Sequence, residues 1–305
     1  MITPPTLKKG DQVAIVAPSR KVSPEQMAST LKLLHSWDLS VVIPDNLYSE
    51  YNQFAGDDNT RTHMLQDVLD DSDIHAVICA RGGYGSVRII DNLDLSLFRK
   101  HPKWIIGYSD VTVLHSHLSI HTDIATLHAT MPIDITSNCT DNVPSIASLH
   151  NCLFSTQNHI SFNSFPLNRQ GTASAPIVGG NLSILYSLCG SSSDIDTTNK
   201  ILFIEDLDEY LYHIDRMMQN LKRTGKLDHL KGLVVGPMKD MHDNTIPFGL
   251  SAEEIIFDAV KDYDYPVCFN APIGHIGTEN HALFLGANTS LIVKDSGCEI
   301  HQSLT

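Results

Sequence analysis

Short apolar runs alternate with helix-periodic stretches through the first half of the chain. Residues 12–17, 40–43, 76–79 and 104–107 read as buried strands, and residues 24–37 and 59–69 carry the apolar spacing of amphipathic helices. That alternation predicts right-handed βαβ crossovers and a parallel sheet, with functional groups gathered at the carboxyl ends of the strands. Three of those ends carry unusual loops: Pro18-Ser19-Arg20, Arg81-Gly82-Gly83-Tyr84-Gly85 and Gly107-Tyr108-Ser109. A helix over 86–90 is expected after the glycine loop, and another opening at Asp110.

From about Cys139 to Ala175 the chain turns rich in Ser, Asn and Thr, and Pro166, Gly171 and Pro176 interrupt any long periodic element. This span is taken as a connector (139–175) between an amino-terminal domain (1–138) and a carboxyl-terminal domain (176–305). The second domain shows a turn and helix at Gly179-Gly180-Asn181, strands at 201–204, 232–235 and 267–269, helices near 212–222 and 252–260, and short strands to the end. The expected class is α/β, a parallel-sheet domain followed by a smaller mixed one.

Composition narrows the partners. At 305 residues the chain can bury two cores, and its 35 acidic against 21 basic residues leave a formal charge of −14. Such a surface repels nucleic acid and anionic membranes. The amino terminus lacks a signal-peptide apolar core and no run approaches the ~20 residues of a membrane span, so a cytoplasmic protein is expected. The six cysteines form no close pair and read as reduced thiols. No His-Glu-x-x-His is present, and His115 and His117 lack the i, i+4 spacing of helical metal ligands, so no metal site is legible.

Candidate chemistry begins at Ser109. A strand that stops at Gly107, turns through one serine and restarts as a helix leaves a hydroxyl exposed beside free backbone N–H groups, as a nucleophile requires. The plain alternative is a helix cap. The Arg81 to Gly85 loop can aim amides at a ligand oxygen, or be a tight turn; it fits neither nucleotide-binding glycine motif. Glu205, followed by Asp206, Asp208 and Glu209, ends an apolar strand, where an acid could orient a histidine; a solvated acidic loop is the alternative, with Glu205 the least exposed. His275 stands between Gly274 and Ile276-Gly277 in a loop, either as a base or as an ordinary surface histidine. Ser109, Glu205 and His275 together would supply nucleophile, orienter and base, with the N–H groups of Asp110 and Gly83 as oxyanion donors.

Five blocks occur in a familiar order: Arg81-Gly82-Gly83-Tyr84-Gly85, Gly107-Tyr108-Ser109-Asp110, Gly179-Gly180-Asn181-Leu182, Phe203-Ile204-Glu205-Asp206 and Gly274-His275. In these the chain resembles the LD-carboxypeptidases, a family of serine peptidases, over nearly its full length from Gly10 to Gly286. One departure is Phe284 before Leu285-Gly286, where members of the family often carry a proline.

The resemblance implies a flavodoxin-like amino-terminal domain, a smaller mixed β/α carboxyl-terminal domain, a homodimer and a cytoplasmic enzyme. It would remove D-alanine from murein tetrapeptides after the L-centre of meso-diaminopimelate, with Ser109 as nucleophile, His275 as base and Glu205 as its partner, and with no metal or organic cofactor. Arg81 would meet substrate carboxylates, with Gly82, Tyr84 and Asn181 as further substrate contacts; Asn181 could equally cap the following helix. Arg20 and Arg88 are additional cations, Arg88 reading more readily as a surface residue. Relatives resembling the microcin C immunity peptidase would use the same triad on acyl-sulfamoyl-adenylates; Trp37 and Trp104, the two tryptophans, sit in expected core elements and offer no ring for a nucleobase. A non-catalytic anion-binding module remains the reading from a different class.

Overall fold

The computed structural model describes residues 1–136 and 143–304. The first sheet uses β1 (Gln12–Val16), β2 (Ser40–Val42), β3 (Ile74–Cys79), β4 (Trp104–Gly107) and β5 (Thr126–His128), interleaved with α1 (Pro24–Ser36), α2 (Asp58–Asp70), α3 (Ser96–Lys100) and α4 (Thr112–Thr122). These strands lie parallel in the order β2-β1-β3-β4-β5. This is the flavodoxin-like order, which opens a crevice at the β1/β3 switch point. Ser23 starts α1 with a capping box and Pro24 at its first turn, and Asp57 caps α2 by accepting the Thr60 N–H. β4 is buried along its whole length, as a central parallel strand must be.

The second sheet contains β6 (Gln157–Phe162), β7 (Gly171–Asn181), β8 (Ile201–Leu207), β9 (Gly232–Lys239), β10 (Val267–Cys268), β12 (Asn288–Lys294) and β13 (Gly297–Ser303), with α5 (Pro144–Phe154), α6 (Leu182–Leu188), α7 (Leu211–Arg223) and α8 (Ala252–Val260). Its order is β10-β9-β8-β7-β12-β13-β6, parallel from β10 to β7 and antiparallel from β7 to β6. β11 (Leu283–Leu285) leaves this half of the chain and pairs antiparallel with β5, extending the first sheet.

Three local expectations change. The 86–90 segment forms two separate 3₁₀ turns, Ser86–Arg88 and Ile90–Asn92, in place of one helix, and the Ser86 N–H at its start donates to the Asp110 carboxylate at 2.9 Å. A 3₁₀ turn over Ser109–Val111 precedes α4, so the long helix starts at Thr112 and not at Asp110. The expected connector begins at Cys139, outside the described residues, yet its later part holds α5 and β6. Pro144 occupies the first turn of α5, and Ile146, Leu149, Cys152 and Leu153 bury one face of that helix in the first core.

The two halves meet at the carboxyl end of β7. There Thr112 Oγ1, at the start of α4, accepts the Asn181 N–H at 3.0 Å. Cys79, Cys152, Cys189, Cys268 and Cys298 are free thiols, Cys139 lying outside the described residues. Among the described residues no helix is long and apolar enough to cross a membrane.

Candidate active site

The chain leaves β4 through Gly107, and Ser109 then takes a left-handed backbone conformation with φ 63°. A non-glycine residue in that region is strained and is held only where its surroundings over-determine it. The surroundings do so. The Asp110 carboxylate, 1% exposed, accepts the Ser19 hydroxyl from the loop after β1 and the Ser86 N–H from the loop after β3. Arg61, a fully buried side chain on α2, donates to the Pro18 carbonyl at 2.5 Å and the Gly85 carbonyl at 2.9 Å. His115 Nε2 donates to the Gly107 carbonyl at 2.9 Å, and burial pushes that imidazole down to about 4, which keeps it neutral. Three strand-end loops are thereby locked around one serine.

Gly82 comes closest to it. A Cβ at Gly82 would stand 2.8 Å from Ser109 Cβ, 3.0 Å from Ser109 Oγ and 3.4 Å from the Asp110 nitrogen. The space over the hydroxyl and the Asp110 amide is open only because residue 82 has no side chain.

Across the cleft, Glu205 and Asp206 lie within β8 itself, at a register shift against β9, and not just beyond the strand end. Such irregularities re-aim side chains beside functional sites. Glu205 is 0% exposed, and its Oε2 meets His275 Nδ1 at 2.5 Å. The His275 backbone N–H points to the same oxygen at 3.3 Å. Gly274, with φ +120°, lets this loop approach: a Cβ there would stand 2.7 Å from Glu205 Oε2. Asp206 is buried as well, against the expectation of a solvated acid. It accepts the Asn181 amide and the Ser183 N–H, each at 2.8 Å. Burial, with the neighbouring Glu205 charge, pushes Asp206 up to about 7.

Burial pulls His275 down, but the hydrogen bond and charge of Glu205, then Asp206 and Asp134, outweigh it and hold its pKa above the ordinary histidine value. With Nδ1 committed to Glu205, Nε2 is the nitrogen left for proton transfer. The Tyr108 ring packs on the imidazole at a centroid distance of 4.7 Å.

Ser109, Asp110 and His275 line one cleft of about 430 Å³, together with Arg20, Arg81, Gly82, Gly83, Asn181 and Asp134. The sequence-derived residues therefore converge, with two qualifications. Tyr84 is 46% exposed, tilts against Phe54 and does not line the cleft. Asn181 caps α6 through Oδ1, accepting the Ile184 N–H, and spends its amide on Asp206 and, at 3.5 Å, Glu205. Arg20 faces the cleft, whereas Arg88 pairs with Asp58 outside it. Arg81 is half-buried, with Nε unpartnered and one Nη1 contact to the Lys21 carbonyl at 3.4 Å. Ser19, Arg61, Ser86 and Asp134 were invisible as site residues, since each acts only through a contact made in three dimensions.

Both halves of the chain match models of one family: residues 13–129 the LD-carboxypeptidase N-terminal domain and residues 174–291 the LD-carboxypeptidase C-terminal domain. A Bacillus subtilis protein described as a probable murein peptide carboxypeptidase is 35% identical across 94% of this chain and 91% of its own length. The murein tetrapeptide carboxypeptidase of Pseudomonas aeruginosa is 26% identical across 89% of this chain and 90% of its own. Among solved structures, the muramoyltetrapeptide carboxypeptidase of Oxalobacter formigenes superposes with a TM-score of 0.87 at 24% identity, covering 96% of this chain and 99% of that one. An MccF-like protein from Bacillus anthracis shares the fold, with a TM-score of 0.86 at 22% identity over the full length of both chains. A flavodoxin-like sheet joined to a mixed sheet, the family's two domain models in order, and a relative matched nearly end to end lead to one conclusion: the chain belongs to the LD-carboxypeptidase family.

Proposed function

We propose that this protein is a serine-type LD-carboxypeptidase that releases the terminal D-alanine from murein tetrapeptide. The observation that carries the reading is the fully buried Glu205 carboxylate 2.5 Å from His275 Nδ1, in a cleft that also receives Ser109 from a strained turn. The names of the B. subtilis and P. aeruginosa relatives support the substrate class.

In this mechanism His275 Nε2 takes the Ser109 proton as Oγ attacks the diaminopimelate carbonyl, and the resulting oxyanion rests on the N–H groups of Gly83 and Asp110. Collapse expels D-alanine, whose amine receives the proton from His275. A water deprotonated by the same nitrogen then attacks the acyl-enzyme and restores Ser109. Glu205 holds the imidazole in the Nδ1–H tautomer and stabilises the imidazolium. Arg81 and Arg20 are the cleft cations suited to substrate carboxylates. The working form is a cytoplasmic homodimer.

The test is D-alanine release from L-Ala-γ-D-Glu-meso-diaminopimelate-D-Ala, followed by mass for wild type and Ser109→Ala. Wild-type release that falls at least ~10³-fold in the variant is expected. An intact peptide with wild type refutes the substrate; if Ser109 is still acylated by a serine-directed reagent, acyl-sulfamoyl-adenylates are the next class. Undiminished release by the variant refutes the nucleophile.

A further inference from the structure

Far from the cleft, the outer hairpin of the second sheet brings together three metal-competent side chains. β6 and β13 pair antiparallel with His301 directly opposite His159 and Glu299 opposite Ser161. Residues two apart on a strand share a face, so Glu299 and His301 stand beside each other and across from His159. The two imidazoles stack with centroids 4.2 Å apart and planes 11° from parallel. Glu299 Oε2 lies 2.8 Å from His301 Nε2 and 3.9 Å from His159 Nε2.

We propose that His159, Glu299 and His301 form a site for one divalent transition-metal ion of the Zn²⁺ class, closed on its outer side by water. One potential ligand atom from each residue falls within 4.8 Å of the others. Tetrahedral zinc, with bonds of roughly 2.0–2.2 Å to nitrogen and oxygen, places its donor atoms about 3.3–3.6 Å apart. The observed separations bracket that span, so side-chain rotation alone completes the site while the paired backbone stays in place. Two imidazoles and a carboxylate suit Zn²⁺, Ni²⁺ or Cu²⁺ far better than Mg²⁺ or Ca²⁺, which prefer all-oxygen shells. Glu299 Oε2 accepts a hydrogen bond from His301 Nε2. Binding moves the His301 ring proton to Nδ1 and frees Nε2 for the metal.

The ion would serve structure, not catalysis. β6 is four inter-strand steps from β8, which carries Glu205; at the usual strand spacing that is about 19 Å. β6 is also an edge strand, whose unpaired backbone is the sheet's exposed margin, and a metal bridging it to β13 pins that margin.

The experiment is titration of chelator-stripped protein with ZnCl₂, read by calorimetry and thermal unfolding, for wild type and for His159→Ala, Glu299→Gln and His301→Ala. All three side chains are solvent-accessible, so none of the variants endangers the fold. The expected result is one equivalent of Zn²⁺ bound to wild type with a saturable rise in Tm. Each variant should weaken that affinity by at least about tenfold, the loss that even an outer-shell partner typically causes. Absence of saturable binding overturns the proposal. So does a Zn²⁺ affinity that survives all three substitutions, which would put the ion on other histidines.

Discussion

Replacing Gly82 with alanine tests the reaction geometry without removing any catalytic group. Residue 82 is absent from the positive-φ positions, so alanine brings no backbone strain there and the perturbation is steric. The new methyl would stand 2.8 Å from Ser109 Cβ and 3.0 Å from Oγ, where carbon atoms rest at about 3.5–4.0 Å. Relief needs a displacement of the order of 0.7 Å at the serine or the glycine loop, and misplacement approaching 1 Å costs up to ~10²-fold in rate. The methyl also sits 3.4 Å from the Asp110 nitrogen, on the approach to one proposed oxyanion donor. Loss of such a donor typically costs about 10²–10³-fold in kcat, or ~2.7–4 kcal/mol. Gly82→Ala should therefore lower kcat for D-alanine release by about 10²–10³-fold, with KM changed far less. Overpacking should cost only about 1–3 kcal/mol of stability. Steady-state release kinetics paired with urea unfolding separate the two effects. A folded variant with kcat within a few-fold of wild type would refute the placement of the oxyanion on the Asp110 N–H, in the space that Gly82 leaves open.

The same structure fixes other outcomes. A general base works when neutral, and His275 titrates above its ordinary 6.5, so kcat/KM should fall on the acid side with an apparent pKa above that value. Glu205→Gln removes the largest influences opposing burial and leaves only the Asp206 and Asp134 charges, so the limb should move to lower pH while the rate drops roughly 10³–10⁴-fold; an unmoved limb would count against His275 as the titrating base. The sign for stability is fixed too: the raised pKa adds stability below the unfolded value of 6.5, and that gain disappears as pH rises through the folded value. Thr112→Val strips the acceptor from the buried Asn181 N–H and should destabilise by about 1–3 kcal/mol in urea unfolding. A loss below about 0.5 kcal/mol, the usual range of neutral surface changes, would show that this contact does not couple the two halves.

The local pattern by itself determined the βαβ alternation and the carboxyl-end loops, and marked Ser109, Glu205 and His275 as candidates, because strand and helix periods and turn residues are short-range properties. Ser109 was legible from Gly107 and the restarting helix, and Glu205 from its place at the end of an apolar run. Local signal ended where contacts between distant elements took over. α5 was hidden in a polar composition because only one of its faces packs on the core. β11 joins the first sheet although the surrounding chain belongs to the second, a pairing that no periodicity encodes. The acidic run after the apolar strand predicts a solvated Asp206, yet the Asn181 amide and Ser183 N–H supply the partners that let it be buried. The buckle of Ser19, Ser86 and Asp110, the Arg61 clamp, and the meeting of His159 with Glu299 and His301 likewise exist only once separate strands are side by side. Hydrogen bonds and ligand sets act over a few ångströms, and residues far apart in the chain reach that range only through the sheet order and register that the whole fold imposes.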